Sequence, residues 1–132
     1  MADGMSARIV VTAAVIERDG RYLITRRQRG VHFEGLWEFP GGKCEAGEPK
    51  RTCLSRELDE ELGVRARIGG EIFSTVHEYA DRAVELHFYH CDIEGEPTPK
   101  LGQEVRWVPA RELATLEFLP ADEELVSRLA SE

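Results

Sequence analysis

The sequence predicts an α+β fold, in which helices pack on the faces of a mixed β-sheet to give an α/β/α sandwich. Apolar, β-branched runs of strand length recur along the chain, and three helical segments accompany them. Strands and helices do not alternate strictly, which argues against a doubly wound parallel sheet.

The chain before the first helix is predicted to consist of strands and loops. Residues 8–17 are apolar and β-branched, and Asp19-Gly20 is a hairpin-turn signal that leads into a returning strand at 22–25. Residues 26–35 are polar and irregular, which indicates a loop, and a short apolar strand follows at 37–39.

A turn at Pro40-Gly41-Gly42 leads towards the strongest helix signal in the chain, at residues 49–62. Pro49 suits the first turn of a helix, and Gly63 suits its end. An apolar stripe repeats every four residues and is expected to dock this helix on the sheet: Leu54, Leu58 and Leu62.

The remaining chain is predicted to return to strands and to end in helices. Strands are expected, in chain order, at 64–68, 71–78, 84–93 and 105–108. A turn at Asp81-Arg82 joins two of them, and the segment 94–102 is a loop that contains Pro and Gly. Helices are expected at 109–114 and 122–130.

Size and charge limit the classes of function. The 132 residues suit one domain over 1–132, with 1–6 as a flexible lead-in. The net charge of −8 argues against binding a nucleic-acid polymer, which needs a basic face. No apolar run reaches the roughly 20 residues of a membrane span, and the N-terminus lacks a signal-peptide core. We therefore expect a cytoplasmic protein, acting as a monomer.

The three cysteines are odd in number and lack metal-site spacing: Cys44, Cys53 and Cys91. We expect them to be reduced thiols, because disulfides are rare in the cytosol.

Three glutamates of the first predicted helix share one face, because Glu57, Glu60 and Glu61 stand at i, i+3 and i+4. Taken alone, they also fit a solvated acidic surface. Glu48 just before the helix and the adjacent Arg56 favour a binding site instead, since the arginine can hold a carboxylate in place.

Backbone carbonyls at the Gly41-Gly42 turn can reach the same place as the glutamates. Carboxylate and carbonyl oxygens are the ligands that Mg²⁺ or Mn²⁺ prefers. Such a site lets metal bridge phosphate oxygens and activate a water molecule.

The segment 42–64 contains the spacing Gly42-x5-Glu48-x7-Arg56-Glu57-Leu58-x-Glu60-Glu61-x-Gly63-Val64. It resembles the complete signature of the Nudix hydrolases. The resemblance implies the Nudix fold and hydrolysis of a nucleoside diphosphate linked to another group. It also implies that Glu57, Glu60 and Glu61 bind metal together with the Gly41 carbonyl. Arg56 would orient a glutamate, and Glu48 would support the loop.

Four other stretches resemble the MutT-type branch, whose members cleave oxidised guanine nucleoside triphosphates: 24–27, 37–43, 94–97 and 119–122. A related branch that prefers cytidine triphosphates shares most of them. We expect 8-oxo-dGTP as the substrate, with CTP or a modified dCTP as the alternative. A non-catalytic nucleotide-sensing module would be expected to have lost signature glutamates.

Four residues are candidates for binding the substrate. By the resemblance, Arg27 and His32 lie near the nucleotide, although both also fit an ordinary surface position. Phe39 can line a base pocket or pack in the core. Asp122 replaces an asparagine of the MutT type; an ionised aspartate only accepts hydrogen bonds, and Asp122 also fits a helix N-cap.

The proposed chemistry needs a base as well as metal. Many family members carry a glutamate in the loop before the final strand, where this chain has Leu101; Glu104 is the nearest candidate, or else a strand-edge charge. We predict that Arg56, Glu57 and Glu60 act in catalysis with two or three Mg²⁺ ions, and that Glu57 or Glu104 takes the proton of the attacking water. The products would be monophosphate and pyrophosphate.

Overall fold

The computed structural model describes residues 7–131, so the expected lead-in at 1–6 lies outside the described residues. The elements, in chain order, are β1 (Ala7–Val15), β2 (Glu17–Arg18), β3 (Arg21–Arg26), β4 (Trp37–Glu38), β5 (Gly41–Lys43), α1 (Lys50–Leu62), β6 (Arg65–Glu78), β7 (Arg82–Glu94), β8 (Val105–Pro109), α2 (Ala110–Leu113), a 3-10 helix (Pro120–Asp122) and α3 (Glu123–Ala130). Within residues 7–131, no helix is long and apolar enough to cross a membrane.

The strands within residues 7–131 form two four-stranded sheets. The first has the order β5-β1-β7-β6, and it is mixed because β1 and β7 run parallel while the other pairs are antiparallel. The second joins β2, β3 and β4, with β8 paired to β3.

Helices cover both sides of this arrangement. Helix α1 packs through its three predicted leucines on one apolar cluster, which includes Ala14 and Tyr89. Helix α3 packs on a second cluster, around Phe88. The predicted α+β class and the sandwich around a mixed sheet are confirmed.

The sequence-based prediction of a turn at residues 40–42 is wrong in part, because Gly41 and Gly42 begin β5. A side chain at Gly41 would collide with the backbone of Thr12, and one at Gly42 would collide with the Glu57 carboxylate. The two glycines therefore let β5 pass closely between β1 and α1. The strands predicted at 64–68 and 71–78 are also one strand, β6, with an irregular register between them.

The expectation of reduced thiols is wrong for two of the three cysteines. Cys44 follows β5 and Cys53 lies in the first turn of α1, and they form a disulfide with their Cα atoms 5.3 Å apart. The intervening turn brings these residues together, which their separation in sequence does not reveal. Cys91 is a free thiol, and burial raises its pKa to about 12.

Candidate active site

The C-terminal end of the acidic helix is held by neighbouring backbone. Gly63 adopts the left-handed conformation (φ 66°) and donates its N–H to the Asp59 carbonyl, which ends the helix. The amides of Thr98 and Lys100 donate to the carbonyls of Leu62 and Glu61, at 2.8 and 2.9 Å. With its leucines buried, α1 presents the predicted glutamates away from the core.

Arg56 is the centre of an ion-pair network on α1. Its Nε and Nη2 atoms donate to the Glu48 carboxylate at 2.8 and 2.9 Å. Its Nη1 atom donates to Glu57 at 3.0 Å and to Glu60 at 3.2 Å. The hydrogen bonds from Arg56 lower the pKa of Glu48 to about 2. The side chain of Glu60 is 57% exposed, and it turns towards this arginine.

Glu57 and Glu61 form a concentration of negative charge that the protein offsets only in part. Burial, followed by the negative charges of Glu57 and Glu38, raises the pKa of Glu61 to about 8. A backbone hydrogen bond from Gly41 acts in the opposite direction. This oxygen-rich set fits a divalent cation, since the added positive charge would relieve the repulsion between the carboxylates.

A cavity of about 500 Å³ extends from this cluster, which is a suitable size for a small-molecule ligand. Seven of the predicted site residues line it: Arg27, His32, Phe39, Gly41, Glu57, Glu61 and Asp122. Arg56, Glu60 and Glu104 are not among its lining residues. Sequence reasoning missed five polar residues of the lining: Thr12, Glu38, Lys43, Tyr79 and Arg82.

Asp122 also lines the cavity and is 3% exposed. Its Oδ2 atom accepts a hydrogen bond from the N–H of Phe39 at 3.2 Å. Asp122 does stand at the N-cap position of α3, but its side chain makes no capping hydrogen bond there. Burial, together with the nearby Glu38 carboxylate, raises the pKa of Asp122 to about 8, against the effects of the Phe39 amide and of Arg27. The aspartic acid is therefore mostly protonated at neutral pH.

Phe39 belongs mainly to the core, although it also borders the cavity. It is 3% exposed, and its ring packs edge-on to Phe88 and against Phe118, with centroids 5.9 and 5.6 Å apart. The contact of this residue with Asp122 is through its backbone N–H, which donates to the Asp122 carboxyl group.

Arg27 and His32 form one wall of the cavity with Glu38. The Arg27 Nε atom donates to the His32 carbonyl at 2.7 Å, and its Nη1 atom pairs with Glu38 at 3.2 Å. Burial raises the pKa of Glu38, although Arg27 opposes this effect. The one signal for Glu38 in the sequence is the alternation of β4, which buries Trp37 and leaves its neighbour on the opposite face.

The Glu104 carboxylate forms ion pairs with two arginines and does not line the cavity. It pairs with Arg26 at 3.3 Å and with Arg106 at 3.0 Å. Burial alone would raise the pKa of Glu104, but the hydrogen bonds from these arginines lower it below the ordinary value. These contacts favour the strand-edge alternative over a role as the base.

We therefore expect Glu104→Gln to lower kcat by less than about threefold, because the change removes one half-exposed charge and no cavity contact. Steady-state kinetics with saturating Mg²⁺ would measure it, with Glu112→Gln on the exposed face of α2 as a control. A loss of a hundredfold in the Glu104 variant alone would restore this residue as the base.

A carboxylate cluster that fits a divalent cation, beside a nucleotide-sized cavity, defines a metal-assisted phosphoanhydride hydrolase. The NUDIX domain family matches residues 11–128, which is most of the chain. This chain belongs to the Nudix hydrolases, enzymes that depend on a divalent metal.

Two curated relatives are similar over nearly their whole length. The chain is 40% identical over 115 residues to the CTP pyrophosphohydrolase of Escherichia coli K12, which covers 86% of this chain and 85% of that protein. It is 37% identical over 132 residues to the 8-oxo-dGTP diphosphatase of Haemophilus influenzae, with coverage of 97% and 96%. The solution structure of the E. coli ORF135 protein matches with a TM-score of 0.86 at 37% identity, covering 97% of this chain and 92% of that one.

Proposed function

We propose that this Nudix hydrolase uses Mg²⁺, or Mn²⁺, to convert a nucleoside triphosphate to its monophosphate and pyrophosphate, with 8-oxo-dGTP as the preferred substrate. The observation that carries the proposal is one cavity with acidic groups of two kinds. Glu57 and Glu61 of the α1 carboxylate cluster line it, and so does the buried Asp122, which belongs to a different element.

In this proposal Glu57, Glu60, Glu61 and the Gly41 carbonyl hold the metal. When bound, it offsets phosphate charge and lowers the pKa of an attacking water. Arg56 is a positioning residue, because its hydrogen bonds fix the carboxylates of Glu57 and Glu60.

Proton transfer and positioning of the triphosphate are assigned to residues that line the cavity. Glu57 takes the proton of the attacking water, because it lines the cavity whereas Glu104 is paired elsewhere. Lys43 and Arg82 also line the cavity, where their charges can hold the triphosphate in line for attack.

The state of Asp122 supports guanine as the base. A neutral aspartic acid has one O–H donor and also accepts hydrogen bonds, so it can imitate the asparagine expected at this position. It can therefore donate to a guanine carbonyl oxygen and accept from a ring N–H. CTP or a modified dCTP is the second candidate, because the E. coli relative that is 40% identical is a CTP pyrophosphohydrolase and an ionised Asp122 suits the cytosine amino group.

We place this activity in the cytoplasm, in a monomer that binds free nucleotides. The net charge of −8 disfavours nucleic-acid polymers. Removal of oxidised guanine nucleotides from the pool before a polymerase can use them would be its role.

The proposed bond cleavage predicts the products. Incubation of 8-oxo-dGTP with enzyme and Mg²⁺ should release monophosphate and pyrophosphate in equal amounts, because attack falls on an inner phosphorus. Ion-exchange chromatography with a coupled pyrophosphate assay would measure both, and Glu57→Gln protein serves as the control for contaminating phosphatases. Formation of diphosphate and orthophosphate would contradict this reaction.

A further inference from the structure

The disulfide lies inside the segment that builds the proposed metal site. Cys44 directly follows β5, which lines the cavity, and Cys53 lies on the helix that carries Glu57. Between the cysteines is a tight turn: the Glu45 N–H donates to the Glu48 carboxylate at 2.9 Å, and the Glu48 N–H donates to the Glu45 carbonyl at 3.0 Å. The disulfide thus joins both ends of the turn that supplies Glu48 to Arg56.

The surrounding backbone positions both cysteines independently of the bond between them. The Cys44 N–H donates to the Val10 carbonyl of β1, and the Cys53 N–H donates to the Pro49 carbonyl of α1, each at 2.9 Å. Their Cα separation of 5.3 Å is in the range that a disulfide requires. Oxidation and reduction of this pair therefore need little movement of the backbone.

The two sulfur atoms differ in access. Cys44 is half-buried, whereas Cys53 is fully buried with its Sγ atom 3.3 Å from the Thr12 hydroxyl. An oxidant can reach Cys44 first, and Cys53 is placed to react with the product. The third thiol, Cys91, is buried on β7, where it pairs with β6, and takes no part in this chemistry.

Metal binding is the competing use of this pair, since Glu48 lies close enough to act as a third ligand. The Glu48 carboxylate is already bound by Arg56 and by the Glu45 amide. A metal that took Glu48 as its third ligand would have to compete with these hydrogen bonds. The contacts favour reaction of the two sulfurs with each other.

We propose that Cys44 and Cys53 are a redox modification site, which a peroxide oxidises to a disulfide that clamps the Glu48 turn onto the metal-binding helix. The clamp would keep the enzyme folded and active under the oxidising conditions that damage nucleotides. It goes beyond the proposed function, because it does not depend on which nucleotide is cleaved.

Oxidation of the pair by a peroxide takes two displacement steps. The Cys44 thiolate attacks one peroxide oxygen, the O–O bond breaks, and a sulfenic acid and hydroxide form. The Cys53 thiolate then attacks the sulfenic sulfur, the S–S bond forms and a second hydroxide leaves. The cysteines lose two electrons, the peroxide gains them, and the two protons of the thiols convert both hydroxides to water. A small dithiol reverses the change by thiol–disulfide exchange.

The clamp is expected to act on stability. Closing a short loop removes conformational freedom from the unfolded chain, so the oxidised protein should melt about 5–10 °C above the reduced protein. The contacts of Arg56 with Glu48 and Glu57 coexist with the disulfide, so the oxidised form should keep its turnover.

The test starts from fully reduced protein treated with hydrogen peroxide, alkylated with iodoacetamide and digested with trypsin. Lys50 and Arg51 lie between the cysteines, so the disulfide should appear as two tryptic peptides joined through Cys44 and Cys53. Melting curves with and without a dithiol should differ in the wild type and in Cys91→Ala, but not in Cys44→Ser or Cys53→Ser.

Three outcomes would overturn the proposal. These are the absence of the linked peptides after peroxide treatment, equal melting temperatures for oxidised and reduced wild type, and a loss of turnover on oxidation that a dithiol restores. The peptide map and the melting curves involve no substrate. Failure of this proposal is therefore distinguishable from failure of the proposed nucleotide hydrolysis.

Discussion

Glu57→Gln is expected to lower kcat at least about a hundredfold, because it removes one negative charge from the carboxylate cluster that would hold metal against the phosphates. Glu57 lines the cavity, its carboxylate is held by Arg56, and its charge raises the pKa of Glu61. Glutamine keeps the shape and can still accept a hydrogen bond from Arg56, so the fold should survive. Steady-state kinetics over a range of Mg²⁺ and Mn²⁺ concentrations would measure the loss.

The cluster predicts different effects for its members. Glu61 lines the cavity together with Glu57, so the Glu61→Gln change should also lower kcat at least about a hundredfold. Glu60 is more exposed and turned to Arg56, so its variant tests whether this side chain moves to the metal. We expect the Glu60→Gln change to lower kcat by a similar factor, as the family resemblance implies.

Asp59→Asn is the matched control, because it removes one negative charge from an exposed position of the same helix. It should keep turnover within about twofold of the wild type. Mn²⁺ binding measured by calorimetry should weaken in Glu57→Gln and not in Asp59→Asn. Near-normal turnover of Glu57→Gln would refute the assignment of the metal site.

The fold was predictable where local sequence and long-range packing agree. The leucine stripe and Gly63 predicted a helix at 49–62, and the structure has α1 at Lys50–Leu62. The sequence Pro40-Gly41-Gly42 indicates a turn by its residue types, yet β5 forms there because β1 and α1 leave room only for glycine. Such tertiary crowding leaves no local pattern.

The site was predictable where a spacing encodes it and not where burial decides it. The helix periodicity places Glu57 and Glu61 together, as the structure does. Glu38 could not be singled out from the sequence, because its ion pair is with Arg27, which follows a different strand, β3. The sequence also could not reveal that Asp122 is buried, and burial changes its chemistry from acceptor to donor and acceptor.

Asp122→Ala is expected to raise KM and to lower kcat/KM for 8-oxo-dGTP by about 1–3 kcal/mol, because polar groups of the bound base lose their partner. Metal-dependent turnover at saturating substrate should remain, since Glu57 and its neighbours are untouched. Glu123→Gln, the adjacent exposed position, is the control and should leave base selectivity unchanged.

The protonation state of Asp122 adds an expected pH dependence to the base preference. Its pKa is raised to about 8, so the donor form dominates below that pH and is lost as the pH rises through it. The ratio of kcat/KM for 8-oxo-dGTP to that for CTP should therefore fall between about pH 6 and about pH 9. Glu61 has a pKa near the same value, but a ratio of two substrates in one enzyme cancels its effect on the metal site.

The Asp122→Asn variant distinguishes the titration of Asp122 from the effects of Glu38 and Arg27, the charged groups that also face it. Asparagine donates and accepts at every pH, so this variant should keep 8-oxo-dGTP as its best substrate with a ratio that no longer changes with pH. The wild type should also lose stability as the pH rises from about 4 to about 8, because over that range the unfolded chain has released the Asp122 proton that the folded protein still holds. The asparagine variant should not show this loss. A wild-type ratio that favours CTP by about tenfold at pH 7 would identify cytosine as the base, with Asp122 acting as the acceptor for its amino group.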